Sequence, residues 1–281
     1  MQPKLRFGTP SCDMILIGTS GFSYDDWIGP FYPKTLTKQD FLTFYSQHFR
    51  ACELNFSYYR VPTAKSLEQM AEKSGGRVEF AVKANQEMTH VREDNAKVFE
   101  AFNYALVPLI DRKLLGCVLA QFPYSFHNTQ ENRAYLKRFK EQMGEILVVV
   151  EFRNRKWINE AMFKLLRELD CGFCCVDEPP LKGLLPPVAV ATSDIGYVRF
   201  HGRNREKWWE HDDPAERYDY LYSEGELQEW LPKIQVLERS TKKVYIFTNN
   251  HRKGKAVQNA KQLSLMLDLI DSGRTVNSLI E

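Results

Sequence analysis

Residues 195–205 read IGYVRFHGRNR. Tyr197, Arg199 and His201 alternate with Val198 and Phe200, which is the two-residue period of a β-strand. One face of this strand is apolar and the other carries a phenol, a guanidinium and an imidazole. In a helix-covered sheet the helix-facing positions are apolar, so the polar set must point into an enclosed lumen.

Seven further runs rich in Val, Ile, Phe, Tyr or Cys accompany it. They are MILIGTSGF (14–22), CELNFSYY (52–59), EFAVKAN (79–85), GCVLAQFP (116–123), ILVVVEFR (146–153), GFCCVDEP (172–179) and KVYIFTNN (243–250). Helical patterns fill most intervals: 38–50, 64–75, 92–113, 130–143, 157–170, 224–239 and 255–271. After the sixth run, PPLKGLLPPVAVA holds too much proline for a regular helix. Alternating strand and helix predict a parallel sheet with right-handed crossovers. Eight such units fit a (β/α)8 TIM-like barrel. An open doubly wound sheet is disfavoured, because no G-x-G-x-x-G turn follows the first strand. One barrel domain is expected over 14–281, preceded by an N-terminal extension, 1–13.

The strand ends carry a polar set. Glu53, Asn55 and Ser57 share one parity of the second strand, Lys83 and Asn85 one parity of the third. Gln121 ends the fourth, Glu151 and Arg153 the fifth, Asp177 the sixth, Arg199 and His201 the seventh, Asn249 and Asn250 the eighth. C-terminal strand ends are where barrel enzymes build their sites, so this set is expected to line one mouth. Glu53, Glu151, Asp177, Lys83, Arg153 and Arg199 are expected to be paired there, since buried charge demands partners. No resident cofactor is expected. Glu53, Glu151, Asp177 and His201 could in principle ligate a divalent ion, but each carboxylate has a cationic rival, and no H-x-H or H-E-x-x-H spacing occurs.

The loops HGRNREKWW and NNHRKGKA follow the seventh and eighth strands, and a helix begins near Gly254. Arg203, Arg205, Arg252, Lys253 and Lys255 supply positive charge there, which predicts a phosphate site at the helix start. Tyr24, Trp27, Phe31, Tyr32, Tyr58, Tyr59, Trp208 and Trp209 gather at the same end. They are positioned to stack on a base or sugar or, for Phe31 and Tyr32, to cap the barrel.

The 281 residues carry a formal net charge of +2, so any basic surface must be local. Six cysteines, among them the CGFCC group at 171–175, lack partners at metal-site spacing and suit a reducing compartment. No apolar run reaches membrane-spanning length and no signal core opens the sequence, so a cytoplasmic address is expected.

Several ordered stretches resemble the domain-of-unknown-function 72 family, the YecE-like proteins. GTSGFSYDDWIGPFYP is similar to its opening signature, with Phe22 where tryptophan is usual. ELNFSYY resembles its Glu-x-Asn-x-Thr-Phe-Tyr motif, and FAVKANQEMTH matches it at Lys83, Thr89 and His90. QFPYSF keeps Gln121, Pro123 and Phe126; EFRNRKW keeps Glu151, Arg153 and Trp157, with Asn154 where histidine is common. YVRFHG and FTNNHRKGKAVQNA match closely. The resemblance covers about 15–270 and implies a TIM-like barrel, distantly similar to the xylose-isomerase and apurinic-endonuclease barrels. It supplies no reaction.

Three functions remain open at this point. The first is an enzyme acting on a phosphate-bearing substrate (a nucleotide, sugar phosphate or nucleic acid). In it, Glu53 or Glu151 is the general acid or base, and Lys83, Arg153, Arg199 and His201 bind anionic oxygens. Asn55, Gln121 and Asn249 then orient the substrate, with Tyr24, Trp27, Asp177, Arg203 and Asn250 around it. The others are a non-catalytic nucleic-acid-binding module and a metal-dependent hydrolase. No protein partner is inferable.

Overall fold

Each apolar run is followed by an amphipathic stretch that returns the chain to the same end of the sheet, so the strands must pair in parallel. The computed structural model describes residues 15–271. The expected extension 1–13, with Cys12, lies outside the described residues. The strands are β1 (Ile15–Ser20), β2 (Ala51–Leu54), β3 (Glu79–Lys83), β4 (Leu115–Gln121), β5 (Val148–Glu151), β6 (Cys171–Asp177), β7 (Ile195–Phe200) and β8 (Lys243–Thr248). They run in order around a closed barrel, β8 pairing with β1, and every pairing is parallel.

The helices are α1 (Phe41–Tyr45), α2 (Phe56–Tyr59), α3 (Ala64–Lys73), α4 (Ala96–Asp111), α5 (Gln130–Met143), α6 (Glu160–Glu168), α7 (Glu224–Gln228), α8 (Leu231–Ser240) and α9 (Lys255–Asp271). Side-chain caps fix several starts: Thr63 closes a capping box on α3 with Ser66, and Thr129 and Asn159 accept from backbone amides of α5 and α6. No helix lies between Asp177 and Ile195, as the prolines require. The expected helix 224–239 is two: α7 ends at Gln228, and Trp230 is the N-cap of α8, with Pro232 in its first turn. Among the described residues no helix is long and apolar enough to cross a membrane.

Two local features govern the mouth. A Cβ at Gly18 would sit 1.9 Å from the Ala51 carbonyl oxygen, so only glycine lets β1 approach β2 this closely. And β2 stops at Leu54, shorter than the expected 52–59. The Ser57 hydroxyl donates to the carbonyl oxygens of Leu54 (2.9 Å) and Lys83 (2.6 Å), and the chain turns into α2. Ser57 therefore leaves the lumen.

The opposite end is closed by a separate polar plug. Glu79 on β3 accepts from Lys243 Nζ at 2.7 and 3.0 Å and from the Tyr245 hydroxyl. Tyr245→Phe should cost only about 1 kcal/mol in chemical denaturation, because Lys243 still satisfies the carboxylate. A loss of several kcal/mol would show that the phenol, not the lysine, anchors Glu79.

Candidate functional site

Lumen parity is visible in the contacts of β7. The Tyr197 hydroxyl donates to Glu53 Oε2 (2.7 Å). Arg199 reaches Glu53 Oε1 through Nη2 (2.7 Å) and Glu151 Oε2 through Nη1 (2.6 Å). Arg153 Nε stands 2.7 Å from Glu151 Oε1. Four charges from β2, β5 and β7 thus meet at the C-terminal end of the lumen, each shared with an opposite neighbour. Burial alone would raise the Glu151 carboxyl, but Arg153, Arg199 and His201 together outweigh it and hold it well below the usual carboxylate range.

His201 completes this layer as a neutral ring. Asn249 Nδ2 lies 3.0 Å from Nδ1, and Nε2 lies 3.2 Å from Glu151 Oε1. Donation from the Asn249 amide requires a lone pair on Nδ1, which places the ring proton on Nε2, toward the carboxylate. Burial, reinforced by Arg153 and Arg199, pushes the imidazole down to about 3.

Glu53, Glu151 and His201 are fully buried and lie beneath the cavity rather than on its surface. Above them opens a cavity of about 1050 Å³. Lys83, Gln121, Arg153, Arg199, Asn55 and Asn249 line it from the strand ends. Phe22, Tyr24, Tyr58, Tyr59, Tyr124, Trp208, Trp209 and Tyr218 form much of its wall. Of these, Tyr59 (75 %) and Trp209 (54 %) are the most exposed and stand at the rim.

Lys83 differs from the other cations. The two arginines are paired, whereas among the described residues no carboxylate lies within ion-pairing distance of Lys83. Its Nζ stands 4.6 Å from the Tyr58 ring centroid, a cation–π contact. Burial and the nearby Arg199 outweigh Glu151 and Glu53 and lower the amine to about 7.

The structure corrects four placements. Asp177 does not reach the lumen: it faces the helix layer and accepts from Arg203, the Tyr222 hydroxyl and Trp230 Nε1. Lumen parity on β6 belongs to Cys174, whose thiol meets Glu151 Oε2 at 3.7 Å. It carries on to Glu178, one residue past the expected carboxylate. Glu178 lies 3.5 Å from Arg153 and accepts from the Leu185 amide (2.8 Å); burial pushes it up to about 7. Sequence reading missed it because CGFCCV is apolar on both faces and shows no parity.

Arg203 is held by Asp177 and Glu229, outside the cavity. Asn250 is buried, donating to Tyr220 O and Asn259 Oδ1, and so ties β8 to α9. Trp27 is fully buried, its indole donating to the His251 carbonyl, and it packs with Phe31 and Tyr32 as the barrel's apolar cap. Tyr24 does line the cavity, its hydroxyl donating to Ser20 O.

The loops after β7 and β8 are also occupied. The Lys253 amide, just before α9, donates to Asp26 Oδ2 at 2.6 Å, so a protein carboxylate takes the position expected for phosphate. Asp219 lies 2.6 Å from Lys255 and 3.8 Å from Arg252. Among the described residues no cluster of His, Cys, Asp and Glu is placed to hold a metal ion, and the five described cysteines are free and buried.

The motifs that build this mouth span nearly the whole chain, and residues 16–277 match the family model for proteins of unknown function, DUF72. The chain belongs to the DUF72 family. UPF0759 protein YunF of Bacillus subtilis is 36 % identical over 276 residues, covering 92 % of this chain and 97 % of that one. A DUF72 family crystal structure from Thermotoga maritima shares 41 % identity and a TM-score of 0.84, over 91 % of this chain and 99 % of the other. Another from Enterococcus faecalis shares 25 % identity and a TM-score of 0.80, over 91 % and 96 %. The resemblance read from the motifs and the barrel read from the strands therefore agree. DUF72 is a family defined without a reaction, so the chemistry must be argued from the mouth itself.

Proposed function

We propose that this DUF72 protein is an enzyme that takes an anionic organic substrate, a carboxylate or phosphate ester, into the aromatic-walled cavity. Lys83 is its proton-transfer group. The observation that carries this reading is the unpaired Lys83 amine, standing in the cavity with Arg153 and Arg199. The arginines hold anionic oxygens, and Gln121, Asn55 and Asn249 supply orienting amides at the same strand ends.

Glu53 and Glu151 have a different part in this reading. Both are buried under the floor, Glu53 bonded to Arg199 and Tyr197 and Glu151 ion-paired with Arg199 and Arg153, so they fix the arginines rather than meet substrate. Proton transfer falls to the group whose free lone pair and acidity match neutral pH, which is Lys83. The nucleic-acid reading loses ground because Arg203, Arg252 and Lys255 on the rim already face Asp177, Glu229 and Asp219.

The test is anion binding by calorimetry, using pyrophosphate and citrate as probes. Hydrogen bonds to charged groups are worth about 1.5–3 kcal/mol, so Arg153→Gln should weaken binding by roughly ten-fold or more. The sign of the pH dependence is fixed by Lys83, which faces Arg199, Glu151, Glu53 and Arg153. Affinity is highest while the amine is protonated and falls as pH rises through about 7. Lys83→Met should flatten that dependence. No binding by the parent, or equal binding by Arg153→Gln, would remove the reading.

A further inference from the structure

Lys83 has the surroundings of a nucleophile as well as those of an acid–base group. A lysine used only as a fixed cation is normally held by a carboxylate, and the two carboxylates nearest this floor are already engaged by Arg199 and Arg153. The amine instead lies against the Tyr58 ring, at the surface of a cavity large enough for a multi-carbon ligand. Like charge from two arginines and an apolar wall are the surroundings that free a lysine lone pair for attack on carbonyl carbon.

We propose that Lys83 forms an imine with an aldehyde or ketone that also carries an anionic group, a deepening of the anion-site reading on which it rests. The neutral amine nitrogen adds to the carbonyl carbon and the C=O π bond breaks. A proton passes from nitrogen to oxygen to give the carbinolamine. That intermediate loses the oxygen as water, taking the second amine hydrogen, and leaves a C=N bond to Nζ. No oxidant, reductant or metal enters the balance. Arg153, which lines the cavity, holds the substrate's anionic group while the carbonyl meets the amine. The acidity already given for Lys83 leaves a large neutral fraction at pH 7, against less than about a thousandth for an ordinary lysine.

The experiment uses the whole chain and two 1,3-diketones, which capture reactive amines as stable enaminones without a reductant. Uncharged pentane-2,4-dione should label Lys83 at pH 7 at least roughly ten times faster than the exposed Lys65 and Lys137, as read by peptide mass mapping. Its carboxylate analogue, 2,4-dioxopentanoate, should label Lys83 faster still, and Arg153→Gln should erase that advantage. Lys83→Arg should lose the label, while labelling of Lys65 and Lys137 stays as in the parent. Labelling of Lys83 no faster than Lys65 overturns the imine while leaving the anion site intact. Equal rates for the two diketones overturn the anionic class of carbonyl. Because pentane-2,4-dione is uncharged, it reports on the amine even if pyrophosphate does not bind, so the two readings fail separately.

Discussion

Replacing Arg199 with methionine is expected to destabilise the chain by about 3–5 kcal/mol, the cost of removing one partner from a buried ion network. Arg199 is 2 % exposed and, among the described residues, is the single group that bridges Glu53 to Glu151. Methionine nearly fills the volume but leaves Glu53 with only the Tyr197 hydroxyl, and Glu151 with Arg153 and His201. Apolar volume is conserved, so the loss measures charge rather than packing. Urea denaturation at pH 7 reads it directly. Adding Glu53→Gln to the variant should recover part of the loss, because the residual charge is then gone; the two changes couple through one contact and will not add.

The same variant has a defined pH signature. Glu151 is held well below its unfolded acidity, so its contribution is fully present above about pH 4 and is lost as pH falls toward the folded value. Arg199 supplies much of that depression. The gap between parent and variant should therefore be constant between about pH 6 and 5, below the Lys83 transition near 7 that Arg199 also shifts, and narrow below about 4. A loss under about 1 kcal/mol at pH 7, or a gap that widens in acid, would mean that the network is not what holds this end of the barrel closed.

How far the sequence reports this site depends on the strand. On β2, β5 and β7, polar residues alternate with apolar ones, so Glu53, Glu151, Arg153, Arg199 and His201 declare a common parity. The structure brings all five within one connected network. On β6 the run is buried on both faces and the period is invisible, which is why Asp177 was expected where Glu178 stands. Local signals also overreached. Gly254 and the basic loop after β8 look like an anion site, but Asp26, some 227 positions earlier in the chain, fills it. Nothing near residue 253 announces that carboxylate. The distinction between a paired and an unpaired cation is likewise tertiary: Lys83 and Arg153 are equivalent in sequence terms and differ only in what folding places beside them.

Asp177→Ala should be comparably costly, roughly 3–5 kcal/mol, and should act on the cavity from outside it. Asp177 is buried and collects four short hydrogen bonds: Arg203 Nε and Nη2 at 2.9 and 2.7 Å, Tyr222 Oη at 2.7 Å and Trp230 Nε1 at 2.7 Å. Alanine strands a buried indole N–H and takes the shortest acceptor from the Tyr222 phenol, while Arg203 keeps Glu229 on the helix side. These donors bracket the excursion between β7 and α7, which carries Trp208, Trp209, Arg217 and Tyr218 to the cavity wall. Losing the carboxylate should therefore loosen that wall before the barrel opens. Limited proteolysis of Asp177→Asn, which keeps the volume but loses the charge, should cut first within 203–222 while the strands stay protected. Pyrophosphate affinity should fall with it, although Asp177 touches no part of the cavity. Unchanged proteolysis together with unchanged stability would show that the wall is held by its own packing, and that the buried carboxylate is dispensable.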